Sequence, residues 1–148
     1  MPLLFGLSVP IGGIVSVEVM TELVGRVVHK GIVSDKTGSD GQPTIIHSSH
    51  LHGRVLESTA TEFISKRCGE VRYLGYPGRV HPLEVVRRAR RLIGNPYRAL
   101  TANCEHFVSG VHGMQPSSPQ LRDGAAKAGM VGGAIAIIVA AARTASGG

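Results

Sequence analysis

The chain of 148 residues predicts an α+β domain, a small antiparallel sheet packed against helices. Three observations lead there. Val15, Val17 and Val19 alternate with Ser16 and Glu18, the period-2 pattern of a half-buried strand. Two β-rich runs, residues 26–33 and 44–47, flank a turn cluster with Asp35, Gly38, Asp40 and Gly41, which reads as a β-hairpin. Further on, Val85, Val86, Ala89, Leu92 and Ile93 recur at helical spacing. The length suits one domain that buries about two-thirds of its unfolded surface. With no Trp and few aromatics, its core is expected to be Val, Ile and Leu.

Residues 1–17 are apolar, but no Lys or Arg precedes Arg26, so the charged leader of a secretory signal is not expected. In the hairpin, Val27, His29 and Gly31 share a face of one strand, and Ile45 and His47 share a face of the other. Antiparallel pairing can bring the two imidazoles together, although the long loop leaves the register open. Thr59-Ala60-Thr61-Glu62 has capping-box form and predicts a helix over 59–66. A strand over 71–74 follows, broken by Tyr76-Pro77-Gly78. Pro82 suits the first turn of the next helix, which carries Arg87, Arg88 and Arg91 opposite its apolar stripe and stops at Gly94-Asn95-Pro96. Asn103 is an N-cap for the last helix, with Cys104 first in it, Phe107, Val108 and Val111 toward the core, and Gly113 as its stop.

Beyond residue 115 the composition changes. Residues 116–123, with Pro116-Ser117-Ser118-Pro119, read as a linker, and 124–148 as a hydrophobic C-terminal helix. The 15 uncharged residues 128–142, between Lys127 and Arg143, reach only about 22 Å, short of the ~30 Å hydrocarbon core. Gly129 and Gly133 form a GxxxG step, which suits close helix packing in lipid or against protein.

Net charge is +6, and residues 79–98 carry six Arg against the single acid Glu84. Such a patch favours anionic partners, a membrane surface first; its rival is a solvated helix face. Nucleic acid is not expected, because Tyr97 is the only aromatic in the patch and no recognised motif accompanies it.

Chemistry concentrates at Cys104. At a helix start, backbone N–H groups and the dipole favour thiolate, so Cys104 is expected to have a low pKa and to alkylate faster than Cys68 at mildly acidic pH. His29 and His47 can supply a base and the group that orients it. Two cysteines make neither a disulfide framework nor a zinc pattern, and a reduced compartment is the simpler expectation; a Cys68–Cys104 disulfide is the rival and would abolish the nucleophile. His47, His50 and His52 lack a further ligand at suitable spacing, so no metal is expected. His106, two residues past Cys104, faces away from it and reads as structural. His81 and His112 read as surface or capping residues.

The run Asn103-Cys104-Glu105-His106-Phe107-Val108, preceded by the Arg-rich helix, resembles the lecithin:retinol acyltransferase-like family, a permuted branch of the papain-like, NlpC-type fold. His29-Lys30-Gly31-Ile32-Val33-Ser34-Asp35 resembles its first histidine strand, and Thr44-Ile45-Ile46-His47-Ser48 its second. The order His, His, Cys is that of the permuted branch. The resemblance covers residues 12–113. It implies a catalytic domain over 1–115 in which Cys104 is the nucleophile, His29 the base and His47 the third member, with no metal or cofactor. It further implies acyl transfer or hydrolysis on a phospholipid or other acyl donor; with no secretory signal and two cysteines, a cytoplasmic or membrane-associated location is expected. Lys30 departs from the apolar or aromatic residue expected there, and the segment between the histidines is longer than usual. The same scaffold also serves cysteine amidases and peptidases, and a membrane-associated binding module without catalysis is the alternative from another class.

Overall fold

In order, the chain forms β1 (Leu3–Leu4), β2 (Leu7–Ser8), β3 (Ile14–Thr21), β4 (Gly25–Thr37), β5 (Pro43–Ser49), β6 (Arg54–Ser58), α1 (Ala60–Ile64), β7 (Cys68–Gly75), α2 (Pro82–Arg91) and α3 (Cys104–Val111). The structure is a computed structural model and describes residues 1–22, 25–64, 68–98 and 103–114. The linker at 116–123 and the hydrophobic segment at 124–148 lie outside the described residues. Among the described residues no helix is long and apolar enough to cross a membrane.

Five strands make one antiparallel sheet in the order β6-β5-β4-β3-β7, and β1 and β2 make a second, two-stranded one. The period-2 alternation divides the large sheet's two faces. On one, Ile14, Ile32, Ile46 and Val55 pack against Val85, Val86 and Ala89 of α2 and Phe107, Val108 and Val111 of α3. On the other, Val15, Val17, Val33 and Ile45 pack against Ala60 and Phe63 of α1 and against Leu4 and Val9 of the N-terminal hairpin. The α+β class stands as expected, with more strand than the sequence indicates.

The differences have local causes. Residues 34–37, expected as turn, continue β4, because Ser34 and Asp35 find partners across the sheet: Arg90 Nη2 donates to Ser34 Oγ at 2.7 Å, and Ser34 Oγ donates to Glu57 Oε1 at 2.8 Å. Strand β6 was not anticipated; its polar residues conceal a buried Val55 and a pairing of His47 with Leu56. The β1–β2 hairpin was not anticipated either. Its two-residue loop is Phe5-Gly6, both at positive φ (48° and 83°), a conformation more often signalled by Asn-Gly. Strand β7 is longer than 71–74. Helix α2 ends at Arg91 rather than Ile93, with the C-cap at Leu92 and Gly94 at φ 95°.

Three caps agree with the sequence. Glu62 N donates to Thr59 Oγ1 at 3.1 Å while Thr59 N donates to Glu62 Oε2 at 3.0 Å, a complete capping box for α1; residues 65–66 of the expected helix 59–66 lie outside the described residues. His81 caps α2 through Nδ1, and Asn103 caps α3.

His112 is the C-cap residue of α3, but its side chain is buried rather than on the surface. Nε2 donates to the Gly12 carbonyl at 2.8 Å, which leaves Nδ1 as a lone-pair acceptor without a hydrogen-bond partner among the described residues. Burial pushes its pKa below the ordinary 6.5. A base depressed in the folded state contributes stability above pH 6.5 that is lost as pH falls from there toward the folded value. The carboxylates of Asp35, Asp40 and Glu57 are held below their usual range and act only at more acid pH. Melting curves should therefore show wild type losing more stability between pH 7 and 5 than His112→Gln; parallel curves would refute this role.

Candidate active site

The site is built on the middle of β4 and β5. His29 pairs with Val17 on β3, and Gly31 with Val15, which fixes both on the face covered by α1. His47 reaches the same face from β5. His29 Nε2 and His47 Nδ1 stand 2.9 Å apart, and His47 Nε2 lies 2.9 Å from Ser58 Oγ on β6. Each of His47's nitrogens must be either donor or acceptor. If His29 donates to His47, then His47 donates to Ser58, and one direction of transfer runs through all three. Both imidazoles are almost wholly buried, and Phe63 lies tilted over His29 with centroids 5.3 Å apart and meets His47 edge to face at 5.1 Å.

Gly31 makes that packing possible. A Cβ there would lie 2.5 Å from Ile45 Cγ2, 3.1 Å from Phe63 Cε2 and 3.3 Å from His47 Cβ. The residue two along β4 from His29, packed against Ile45, Phe63 and His47, therefore has to be side-chain-free.

Cys104 arrives from the opposite face. Pairing of β4 with β5 runs from Ile32↔Ile46 to Thr37↔Pro43, and the first turn of α3 meets β4 before that stretch. There the thiol donates to the Val28 carbonyl at 3.8 Å, and the Lys30 N–H points at the sulfur. Those two backbone groups flank His29. The structure thus brings all three expected residues to one stretch of sheet, with the thiol at the strand edge and the imidazoles on the far face. Asn103 Oδ1 accepts from His106 N at 3.0 Å and lies 2.9 Å from His106 Nδ1, so His106 braces the cap, as expected of a structural residue. Cys104 is a free thiol, which removes the disulfide rival.

No family model matches the chain, and no curated protein matches it. Its site must be read from its own chemistry.

The expectation of a low thiol pKa is corrected. Burial pushes the Cys104 thiol up to about 11; the Lys30 N–H opposes this, the Glu105 carboxylate adds to it, and the Lys30 ammonium and Glu105 N–H oppose it again. Desolvation outweighs the helix N-terminus because Cys104 is only 7% exposed. Native Cys104 should accordingly alkylate with iodoacetamide far more slowly at pH 7 than the urea-unfolded chain, with a rate still climbing above pH 9. Rapid native labelling at pH 6.5 would restore the original expectation.

Lys30, an unexpected residue for its position in the sequence, has a partner: its Nζ stands 2.6 Å from Glu105 Oε1, with both side chains largely buried. Sequence reasoning also missed Tyr97 and His50. The segment after α2 hydrogen-bonds along the edge of β6, with Val55 N donating to Asn95 O and Tyr97 N to Gly53 O. This carries Tyr97 to the site, where burial and the Cys104 charge both raise its pKa. His50 bridges the groups, its ring 6.1 Å from Tyr97 and 5.9 Å from His29. His52, by contrast, is engaged with Ser49 at 3.0 Å. Among the described residues no three His, Cys, Asp or Glu gather to hold a metal ion.

Proposed function

We propose that the protein is a thiol-dependent acyltransferase or acyl hydrolase, of permuted papain-like, NlpC-type architecture, that cleaves lipid acyl esters through a thioester on Cys104. The observation that carries this reading is the His29–His47–Ser58 hydrogen-bonded chain beside the backbone that holds the thiol. Nothing in an ordinary core calls for two buried imidazoles in series.

The proposed reaction assigns each of these residues a step. The thiol is protonated at rest, so His29 must take its proton as the sulfur attacks the acyl carbonyl, not beforehand. With Nε2 turned to His47, the exchange falls to Nδ1. His47 fixes that tautomer, and Ser58 fixes His47, roles that a carboxylate or amide fills in other triads. The backbone N–H of Cys104, at the start of α3, faces the oxyanion. The alcohol leaves with the proton from His29. Water or an acceptor then releases the acyl group by the same shuttle in reverse. The lipid reading rests on the motif resemblance, on the basic residues of 79–98 and on the apolar composition of 124–148.

Intact mass spectrometry after incubation with phosphatidylcholine vesicles tests it. The native protein should gain one acyl chain, removable by hydroxylamine, and lysophospholipid should accumulate; Cys104→Ala should do neither. A second reading, a binding module without catalysis, is favoured by the burial of the sulfur and the raised thiol pKa. It requires Cys104→Ala to behave as wild type in lipid binding, with no acyl adduct on either.

A further inference from the structure

A cleft of about 410 Å³ is lined by Asp35 of β4 and by Leu83, Arg87, Arg90 and Arg91 of α2. It stands six residues along β4 from His29, about 20 Å.

We infer that this cleft binds the phosphate group of a phosphate ester. Its floor is preorganised. Arg90 donates through Nε and Nη2 to Glu57 and through Nη2 to Asp35 and Ser34, so its guanidinium is fixed between the two carboxylates. Arg90 Nη1 takes no partner among the described residues. Glu84, the remaining acid nearby, is held by Arg87 at 2.5 Å and Arg88 at 3.3 Å. Four guanidinium groups therefore meet three carboxylates, and Arg91, which acts on Glu84 through its charge, takes no hydrogen bond or ion pair among the described residues. The surplus positive charge lies on the cleft wall. Arg87 and Arg91 are one helical turn apart on one face, with Arg90 beneath them. A planar carboxylate presents its oxygens in one plane, whereas a tetrahedral phosphate can meet three guanidinium groups from three directions. Leu83, one turn before Arg87 and half exposed, offers an apolar lip for the organic part of the ester.

The site is independent of the thiol chemistry, and its test keeps the two apart. Inorganic phosphate is titrated against the full chain at constant ionic strength, followed by the melting temperature and amide NMR shifts, with acetate as the comparison anion. Phosphate should give a saturable response that acetate does not. Arg87→Gln/Arg91→Gln, which spares the Arg90 network, should weaken it about tenfold or more for each guanidinium removed. Arg72→Gln/Arg79→Gln, which removes the same charge elsewhere, and Cys104→Ala should leave it unchanged. Co-sedimentation with phosphatidic acid vesicles, displaced by inorganic phosphate, would assign a lipid headgroup; phosphate binding without vesicle binding would assign a soluble phosphate ester. An unsaturable response, an equal response to acetate, or equal weakening in both double variants overturns the inference.

Discussion

Lys30→Met should destabilise the protein by about 3–5 kcal/mol, because it breaks a buried ion pair by taking away the ammonium that stands 2.6 Å from the Glu105 carboxylate. For a chain of this size that lowers the melting temperature by roughly 10 °C. The pair is closed, at 2.6 Å, with side chains only 19% and 5% exposed, so solvent does little to screen it. Removing both charges together, as Lys30→Met/Glu105→Leu, should recover most of the loss, since no unpaired charge is left buried. The single variant carries a chemical consequence as well. The Lys30 ammonium opposes the rise in the Cys104 pKa and the Glu105 carboxylate promotes it, so losing Lys30 alone pushes the thiol higher still. Its alkylation profile should move to more alkaline pH. A loss of under 1 kcal/mol would mean that the pair is wetter than its burial implies.

The second large effect is expected at Gly31. An alanine methyl would overlap Ile45 Cγ2, and Ile45 is β-branched and wholly buried, so it cannot swing aside. Overpacking of this kind costs about 1–3 kcal/mol. Function should suffer more than stability, because the atoms that must yield next are those of Phe63 and His47, and a small displacement of His47 breaks its 2.9 Å contact with His29. Under the proposed mechanism, Gly31→Ala should retain the far-UV spectrum and lose acyl-adduct formation, and Ile45→Ala on that background should restore part of it. Full adduct formation in Gly31→Ala would separate the imidazole pair from catalysis.

What the sequence discloses about this site is what periodicity governs. Alternation puts His29 and His47 on inward faces of adjacent strands, and side-chain chemistry names Asn103 as a cap before any coordinates are known. What it does not disclose depends on distant partners. Ser58 joins the imidazoles only because β6 lies beside β5, and β6 shows no alternation strong enough to announce it. Tyr97 reaches the thiol through backbone bonds to residues 53 and 55. The raised thiol pKa is hidden from the sequence for the same reason: the helix terminus is local and legible, whereas the desolvation that outweighs it comes from packing between α3 and the sheet. Lys30 looked anomalous in isolation and is explained by one carboxylate 75 positions later.

The separation along the chain between the imidazole strands and the thiol also orders events during synthesis. At about 5–20 residues per second, β4 and β5 leave the ribosome several seconds before α3 does. The proton-handling half of the centre can assemble first, and the sulfur closes onto a strand edge already in place. A nascent chain arrested just before residue 103 should then protect the amides of β4 and β5 while remaining chemically inert.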